Sequence, residues 1–236
     1  LGNGAGYLYL DASSGFDAYT MQPRYDGVYK FNHVYIGTYA GNNYNGTIYF
    51  RGTYATNMNG RGPILMALGN ITVYSGSNIN ASGYGFAAGS GPSSRSYGAT
   101  YGSPFFPFDL GSGGSNSAGG GAIALISNGT VVVNGSVTAD GIYTGATSSS
   151  SGSGGSIYIS ANAINGTGTI TANGGINSGA GGIGGEGGRI ALYYNTTNTL
   201  TGTVTASGQS GGVTGTIVHT SCSKNPSIPM PVWPIS

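Results

Sequence analysis

The sequence predicts an all-β fold, a β-solenoid of about four to five coils, and three observations lead to that prediction. Glycine contributes 48 of the 236 residues. Charged residues make up only 6% of the chain, against a usual ~25%. Four segments repeat one pattern, and the apolar residues inside each segment alternate with the period of two that is typical of strands.

The composition also excludes several classes of protein. Seven Lys and Arg residues and a net charge of +1 are too few for the basic patch of a nucleic-acid binder, so we expect no nucleic-acid partner. The 18 Tyr and 7 Phe argue against a disordered polyelectrolyte. The glycines fall in clusters and not at every third position, which excludes collagen. No apolar run approaches the ~18–20 residues of a membrane span, so we expect none.

Residues 1–60 are rich in tyrosine and form the first predicted region, an N-terminal strand followed by a cap or irregular first coil. The alternating run Tyr7, Leu8, Tyr9 and Leu10 predicts the strand. Residues 27–54 are assigned to the cap or first coil, because the end of a stack of strands must not leave an open apolar edge.

Residues 61–219 form the second region, which contains the repeats. The repeated segments are 62–83, 121–141, 155–174 and 188–208. Each opens with Gly and an alternating strand, carries Asn at its first bend and closes with Ala-(Ser/Asp/Asn)-Gly. One such unit cannot bury its apolar row alone, whereas units stacked at ~4.8 Å bury the rows as continuous ladders. We expect the bend asparagines Asn70, Asn128, Asn162 and Asn195 to form a side-chain ladder.

Three spacers rich in Gly and Ser separate the repeats, at 84–120, 142–154 and 175–187. We interpret them as loop excursions that leave the solenoid between coils. The first spacer carries Phe105, Phe106 and Phe108, which either fold back as a cover or contact another molecule.

The C-terminal part consists of a closing strand at 215–219 and the third region, a Pro-rich tail at 220–236. Four prolines within 225–236 exclude a helix or a central strand there. The single Cys222 cannot form an internal disulfide and is either an idle thiol or an intermolecular link.

The segments Gly-Gly-Arg-Ile-Ala-Leu-Tyr-Tyr at 187–194, Gly-Thr-Val-Thr-Ala-Ser-Gly at 202–208 and Gly-Thr-Ile-Val at 215–218 carry a resemblance. They resemble the Gly-rich parallel β-helix repeats of prokaryotic cell-surface proteins and extracellular fibres. The resemblance implies a parallel β-helix and a role in an adhesin, a wall-associated protein or an extracellular fibre.

A catalytic site is not predicted. None of the six acids recurs at one repeat position, where carboxylates of adjacent coils could pair. His33 and His219 are far apart in sequence and lack the pattern of a metal site. We therefore expect no catalytic, cofactor-binding or metal-binding residues and no enzyme. A polysaccharide-active enzyme is kept as a less favoured alternative, because parallel β-helices often host such enzymes.

Two surface features bear on function. Outward Ser136 and Thr138, Thr169 and Thr171, and Thr203 and Thr205 form a row that resembles an ice-binding face. The ordinary β-propensity of Thr explains the row, so an ice-binding protein is a less favoured alternative. Asn-x-Ser/Thr occurs seven times, which makes covalent glycans candidate partners of an exported chain. The glycosylation candidates are Asn45, Asn70, Asn80, Asn128, Asn134, Asn165 and Asn195.

The leading functional hypothesis is an exported structural protein, extracellular or on the cell surface. Its copies would assemble head to tail into a filament or matrix, because a low charge protects poorly against association and the apolar chain ends need contacts. A chain that starts at Leu1 without a leader fits a processed export product and fits a fragment equally. The alternative is an adhesin or carbohydrate-binding segment of a larger surface protein. The assembly candidates are Tyr7, Leu8, Tyr9, Leu10, Ile228, Met230, Val232, Trp233 and Ile235.

Overall fold

The computed structural model describes residues 6–11, 15–17, 22–24, 27–39, 42–43, 45–52, 60–92, 98–143 and 145–222. Within these ranges the chain is all-β, with two large sheets whose strands pair mostly in parallel. The prediction of an all-β fold is confirmed.

The Tyr-rich region supplies the first eight strands. They are β1 (Gly6–Asp11), β2 (Gly15–Asp17), β3 (Gln22–Arg24), β4 (Val28–Phe31), β5 (Val34–Ile36), β6 (Thr38–Tyr39), β7 (Asn42–Asn43) and β8 (Gly46–Arg51). Antiparallel pairs join β2 to β3 and β6 to β7. In contrast, β4, β5 and β8 pair in parallel with strands of the first repeat, so this region supplies the layer beneath it.

The repeats supply the next nine strands, and a final strand follows them. The nine are β9 (Ile64–Ala67), β10 (Ile71–Val73), β11 (Asn78–Asn80), β12 (Ala122–Val133), β13 (Ser136–Thr138), β14 (Ser156–Gly166), β15 (Thr169–Thr171), β16 (Arg189–Leu200) and β17 (Thr203–Thr205). The final strand, β18 (Thr216–Ser221), pairs in parallel with β16 and confirms the predicted closing strand.

Equivalent strands of successive repeats are neighbours in the same sheet. One sheet has the order β1-β8-β11-β13-β15-β17, and all of its pairs are parallel. The second sheet has the order β18-β16-β14-β12-β9-β4-β2-β3. In the same sheet β10 pairs with β12 on one side and with β5 on the other. The long strands β12 and β14 change register at the bend, between Ser127 and Thr130 and between Ala161 and Ala163.

The core consists of apolar rows that run from repeat to repeat. In the first sheet, Ile48, Ile79, Val137 and Ile170 are register partners and are all buried. In the second sheet the row Ile123, Ile157 and Ile190 is buried in the same way. The predicted period of two is therefore confirmed, because the buried residues alternate with partly exposed ones in β11, β13 and β15.

Successive repeats are joined by one recurring hydrogen bond. The N–H of the opening Gly of each repeat donates to the carbonyl of the preceding closing Ala, at 2.7 Å in all four cases. The pairs are Gly121 to Ala81, Gly155 to Ala139, Gly188 to Ala172 and Gly215 to Ala206. Because the backbones approach one another so closely, there is no room for a Cβ atom. This explains why glycine occupies these positions.

The spacers differ from the expected loop excursions. Gly113, Gly119, Gly152 and Gly185 are buried, and the spacers hydrogen-bond to one another through their backbones. For example, Gly120 donates to Ser153 at 2.9 Å and Gly154 donates to Glu186 at 2.8 Å. The Gly/Ser-rich segments therefore form a second packed layer beside the repeats, since a chain without side chains can stack its own backbones closely.

The opening glycines give a direct stability test. We expect Gly155→Ala to lower the free energy of unfolding by roughly 1–3 kcal/mol, because its Cβ would lie well under 3.0 Å from the Gly121 carbonyl oxygen and backbone cannot move aside cheaply. The control is Gly46→Ala, whose Cβ would meet its nearest atoms at an ordinary 3.5 Å. Urea denaturation of both variants measures the difference, and equal midpoints would contradict this account of the glycines.

Candidate functional site

The N-terminal assembly candidates lie in β1, the strand at one end of the first sheet. Leu8 of β1 is the register partner of Ile48 and therefore the outermost member of that buried row. Its side chain is 49% exposed, whereas Ile48 is buried. At the other end of the same row, Val204 packs on the core but is only partly buried. The core row is therefore incompletely covered by protein at both of its ends.

The end formed by β17, β18 and residues 195–200, here called the C-terminal end, also leaves core rows partly uncovered. Ile217 continues the row of Ile157 and Ile190, yet it is 41% exposed. His219 is the register partner of the buried Leu192, and its Nδ1 lies 3.4 Å from Asn198 Nδ2. Partial burial lowers the pKa of His219, which favours the neutral ring.

The other assembly candidates are only partly covered by the structure. Tyr7, Tyr9 and Leu10 lie in β1, which pairs with β8, and Leu10 is buried. Ile228, Met230, Val232, Trp233 and Ile235 lie outside the described residues.

Three of the acids, Asp109, Asp140 and Glu186, lie in structural contacts. Glu186 Oε2 accepts a hydrogen bond of 2.6 Å from the Thr100 backbone. Burial raises the pKa of Asp109, and the nearby Arg189 opposes that rise. In the part of the chain that is described, no three His, Cys, Asp or Glu side chains are grouped as a metal site would need.

A side-chain ladder exists, but at the closing turns and not at the first bends. Ser82 Oγ accepts from the Asp140 N–H at 3.1 Å, Asp140 Oδ1 from Asn173 at 2.6 Å, and Asn173 Oδ1 from Ser207 at 2.8 Å. At the first bends Asn70 reaches Thr130 of the next repeat, while Asn128 and Asn162 are exposed. The sequence does contain a signal for the ladder at the closing turns. Ser, Asp and Asn replace one another in the Ala-x-Gly motif, and the side chains of all three can accept a hydrogen bond from a backbone N–H.

One polar crevice lies between the first spacer and the repeats. It is lined by Tyr101, Asp109, Ser156 and Arg189, among others, and leaves no room for a molecule as large as water. Arg189 Nε donates to the Tyr101 carbonyl at 2.9 Å, and Ser156 Oγ donates to the Asp109 carbonyl at 2.6 Å. These contacts anchor the spacer across the repeats and fill the crevice with the protein's own groups.

The phenylalanine cluster covers the outer surface of the second sheet. Phe106 stacks with Tyr193 and Tyr158, with ring centroids 6.3 Å and 6.5 Å apart, and Phe108 lies 4.8 Å from the Tyr158 ring. Tyr193 also donates a hydrogen bond to the Phe105 carbonyl. The cluster therefore folds back as a cover, the first of the two alternatives, yet Phe105 remains 53% exposed and Phe106 38% exposed.

The seven glycosylation candidates differ in accessibility. Asn45, Asn128 and Asn134 are exposed, while Asn70, Asn80, Asn165 and Asn195 are half-buried. Asn70 and Asn80 also use their side-chain oxygens internally, toward Thr130 and Ser82.

No protein-family model, curated protein or solved structure matches this chain. No helix of the described residues has the length and apolar character to cross a membrane. The functional argument therefore depends on the geometry of the chain itself.

Asp140 provides a pH test of the ladder. Burial raises its folded-state pKa, while hydrogen bonds from Asn173 and Thr171 oppose the rise. Because the folded pKa lies above the unfolded one, ionisation costs stability as pH rises through the folded pKa. We expect Asp140→Asn, which keeps an acceptor, to be at least as stable as the wild type at pH 7 and to lose that advantage below pH ~3.9.

Thermal melts across this pH range measure the effect. The matched control is Asp140→Ala, which removes the acceptor and should lose roughly 1–3 kcal/mol at every pH. An asparagine variant as unstable as the alanine variant would show that the charge, and not the acceptor, holds the turn.

Glycopeptide mass spectrometry tests the ranking of the asparagines. After passage through a glycosylating secretion pathway, we expect higher occupancy at Asn128 and Asn134 than at Asn70 and Asn80, because an oligosaccharide needs an accessible side-chain nitrogen. Higher occupancy at Asn70 or Asn80 would contradict the ranking.

Proposed function

We propose that the chain is a parallel β-solenoid of the Gly-rich β-helix type and serves as an exported structural protein. Its copies join end to end into an extracellular filament or matrix, and exposed asparagines carry glycans. The observation that carries the proposal is the cover of the core rows, which is complete in the middle repeats and incomplete at both ends. End-to-end contact between identical copies covers both ends and propagates unless a rotation closes it.

The register supports the architectural part of this proposal. Each of the equivalent strands β11, β13, β15 and β17 pairs in parallel with the next, without a break in the order of the chain. The structural contacts of Asp109, Asp140 and Glu186 favour a structural role over an enzymatic one.

A charged substitution at one end of the stacked strands distinguishes end-to-end assembly from other modes of association. We expect Ile217→Lys to abolish filaments seen by negative-stain electron microscopy, because it places a charge in the joint, and to leave the fold intact, because Ile217 is already 41% exposed. The control is Ile176→Lys, which alters a 51% exposed side chain on the third spacer, away from the ends. Filaments of Ile217→Lys, or their loss in Ile176→Lys alone, would refute end-to-end assembly.

The second candidate function is an adhesin or carbohydrate-binding segment. The exposed rings of Phe105 and Phe106 favour it, since sugar rings pack on exposed aromatic faces. A glycan array that gives a hit with the wild type, and none with Phe105→Ser combined with Phe106→Ser, would support this function. Double-mutant chains that still form filaments would separate it from assembly.

A further inference from the structure

Residues 98–109 of the first spacer, here called the strap, contact a repeat that is distant from them in sequence. The spacer follows the first repeat, yet the Thr100 N–H donates to Glu186 Oε2 at 2.6 Å. The Tyr101 carbonyl accepts a hydrogen bond from Arg189 Nε at 2.9 Å. Residue 186 directly precedes the fourth repeat and residue 189 lies in it, so one end of the strap is fixed at the fourth repeat.

The strap then crosses the outer surface of the second sheet. The Phe105 carbonyl accepts a hydrogen bond of 2.8 Å from the Tyr193 hydroxyl of the fourth repeat. Phe106 stacks on both Tyr193 and Tyr158, and the Phe108 ring lies 4.8 Å from the ring of Tyr158 in the third repeat. Within four residues the strap therefore passes from the fourth repeat to the third.

The other end of the strap is fixed beside the first repeat, which opens at residue 62. Asp109 forms an antiparallel bridge with Arg61. The next residue, Leu110, is buried and donates its N–H to the Gly60 carbonyl at 3.1 Å. The strap thus connects the start of the first repeat with the third and fourth repeats.

A stack of repeats ordinarily opens from its ends, because each repeat contacts only its neighbours. We propose that the strap couples the fourth repeat to the first, so that the repeats between residues 62 and 208 open as one cooperative unit. Phe106 covers Tyr193 and Tyr158 together, so a fourth repeat that opens also uncovers the third. The coupling acts within a single copy and does not require assembly into filaments.

The two tyrosine rings beneath the strap make this coupling strong. Tyr158 and Tyr193 are each only 1% exposed, and they belong to a second apolar cluster, separate from the core between the sheets. A buried aromatic side chain removes about 150–250 Å² of surface from water. Detachment of the strap would return part of that surface to water on two repeats at once.

Amide hydrogen exchange of the full chain in low urea measures the coupling. Leu125 of the second repeat and Ala191 of the fourth both lie in strands with a neighbour on each side. In the wild type we expect their protection factors to agree within about threefold, because both amides exchange through one opening. In Phe106→Ala combined with Phe108→Ala, Ala191 should lose about tenfold more protection than Leu125.

The matched control is Phe105→Ala, which changes a 53% exposed side chain of the same strap and keeps the carbonyl that Tyr193 contacts. This variant should leave the two protection factors equal. The comparison between two amides of one chain separates coupling from stability, because a general loss of stability accelerates both amides equally.

Glu186 provides a second, milder pair of variants at the other contact of the strap. Glu186→Ala removes the acceptor of the Thr100 N–H, whereas Glu186→Gln keeps an oxygen there. We expect the protection factors of Ala191 and Leu125 to separate in Glu186→Ala and to remain equal in Glu186→Gln. The side chain of Glu186 is half-buried, so both variants should fold.

Two results would overturn the coupling. The first is a wild-type chain in which Ala191 already exchanges far faster than Leu125, since the fourth repeat would then open alone despite the strap. The second is equal acceleration of both amides in the phenylalanine variant and in Glu186→Ala, which would make the strap a source of stability without coupling.

Discussion

The whole fold depends on how closely the backbones of successive repeats approach one another where each repeat opens. The 2.7 Å hydrogen bond from an opening Gly to the preceding closing Ala recurs at every junction between repeats. A Cβ at Gly155, Gly188 or Gly215 would collide with a carbonyl of the neighbouring repeat. This constraint sets the layer spacing, and the spacing in turn allows the buried isoleucines and valines to contact their equivalents above and below.

The same constraint explains the second layer. The spacers carry glycine at buried positions such as Gly113, Gly152 and Gly185, where other backbones would meet any Cβ. Serines fill the remaining room and satisfy backbone groups, as when Ser117 Oγ accepts from the Gly152 N–H and Ser115 Oγ accepts from Ser150. A chain with few charges can bury this much polar backbone because almost every group finds a partner within the layer.

Much of the architecture was predictable because it follows from local periodicity. The alternation of Ile157 and Ile159, or of Val131 and Val133, identified the buried rows, and the closing strand followed from the same pattern. The packed spacers were not predictable, since glycine and serine have no apolar period and look the same in a loop as in a layer. The ladder was placed at the wrong turn because Asn70 and Asp140 are equally able to accept a backbone N–H, and only the register decides between them. Composition indicated that the apolar chain ends need contacts, but which side chains of the stack remain uncovered depends on three-dimensional stacking.

The anchoring of Arg189 has a consequence for proteolysis of the chain. It is the one Lys or Arg between residues 96 and 222, and its guanidinium donates to the Tyr101 carbonyl and to Thr216 Oγ1. A digestive enzyme that cuts after basic residues must bind an extended segment with that side chain free. Over this half of the molecule it finds a single cleavage point, held inside a parallel sheet between β14 and β18. The scarcity of basic residues therefore protects residues 96–222 against trypsin-like degradation.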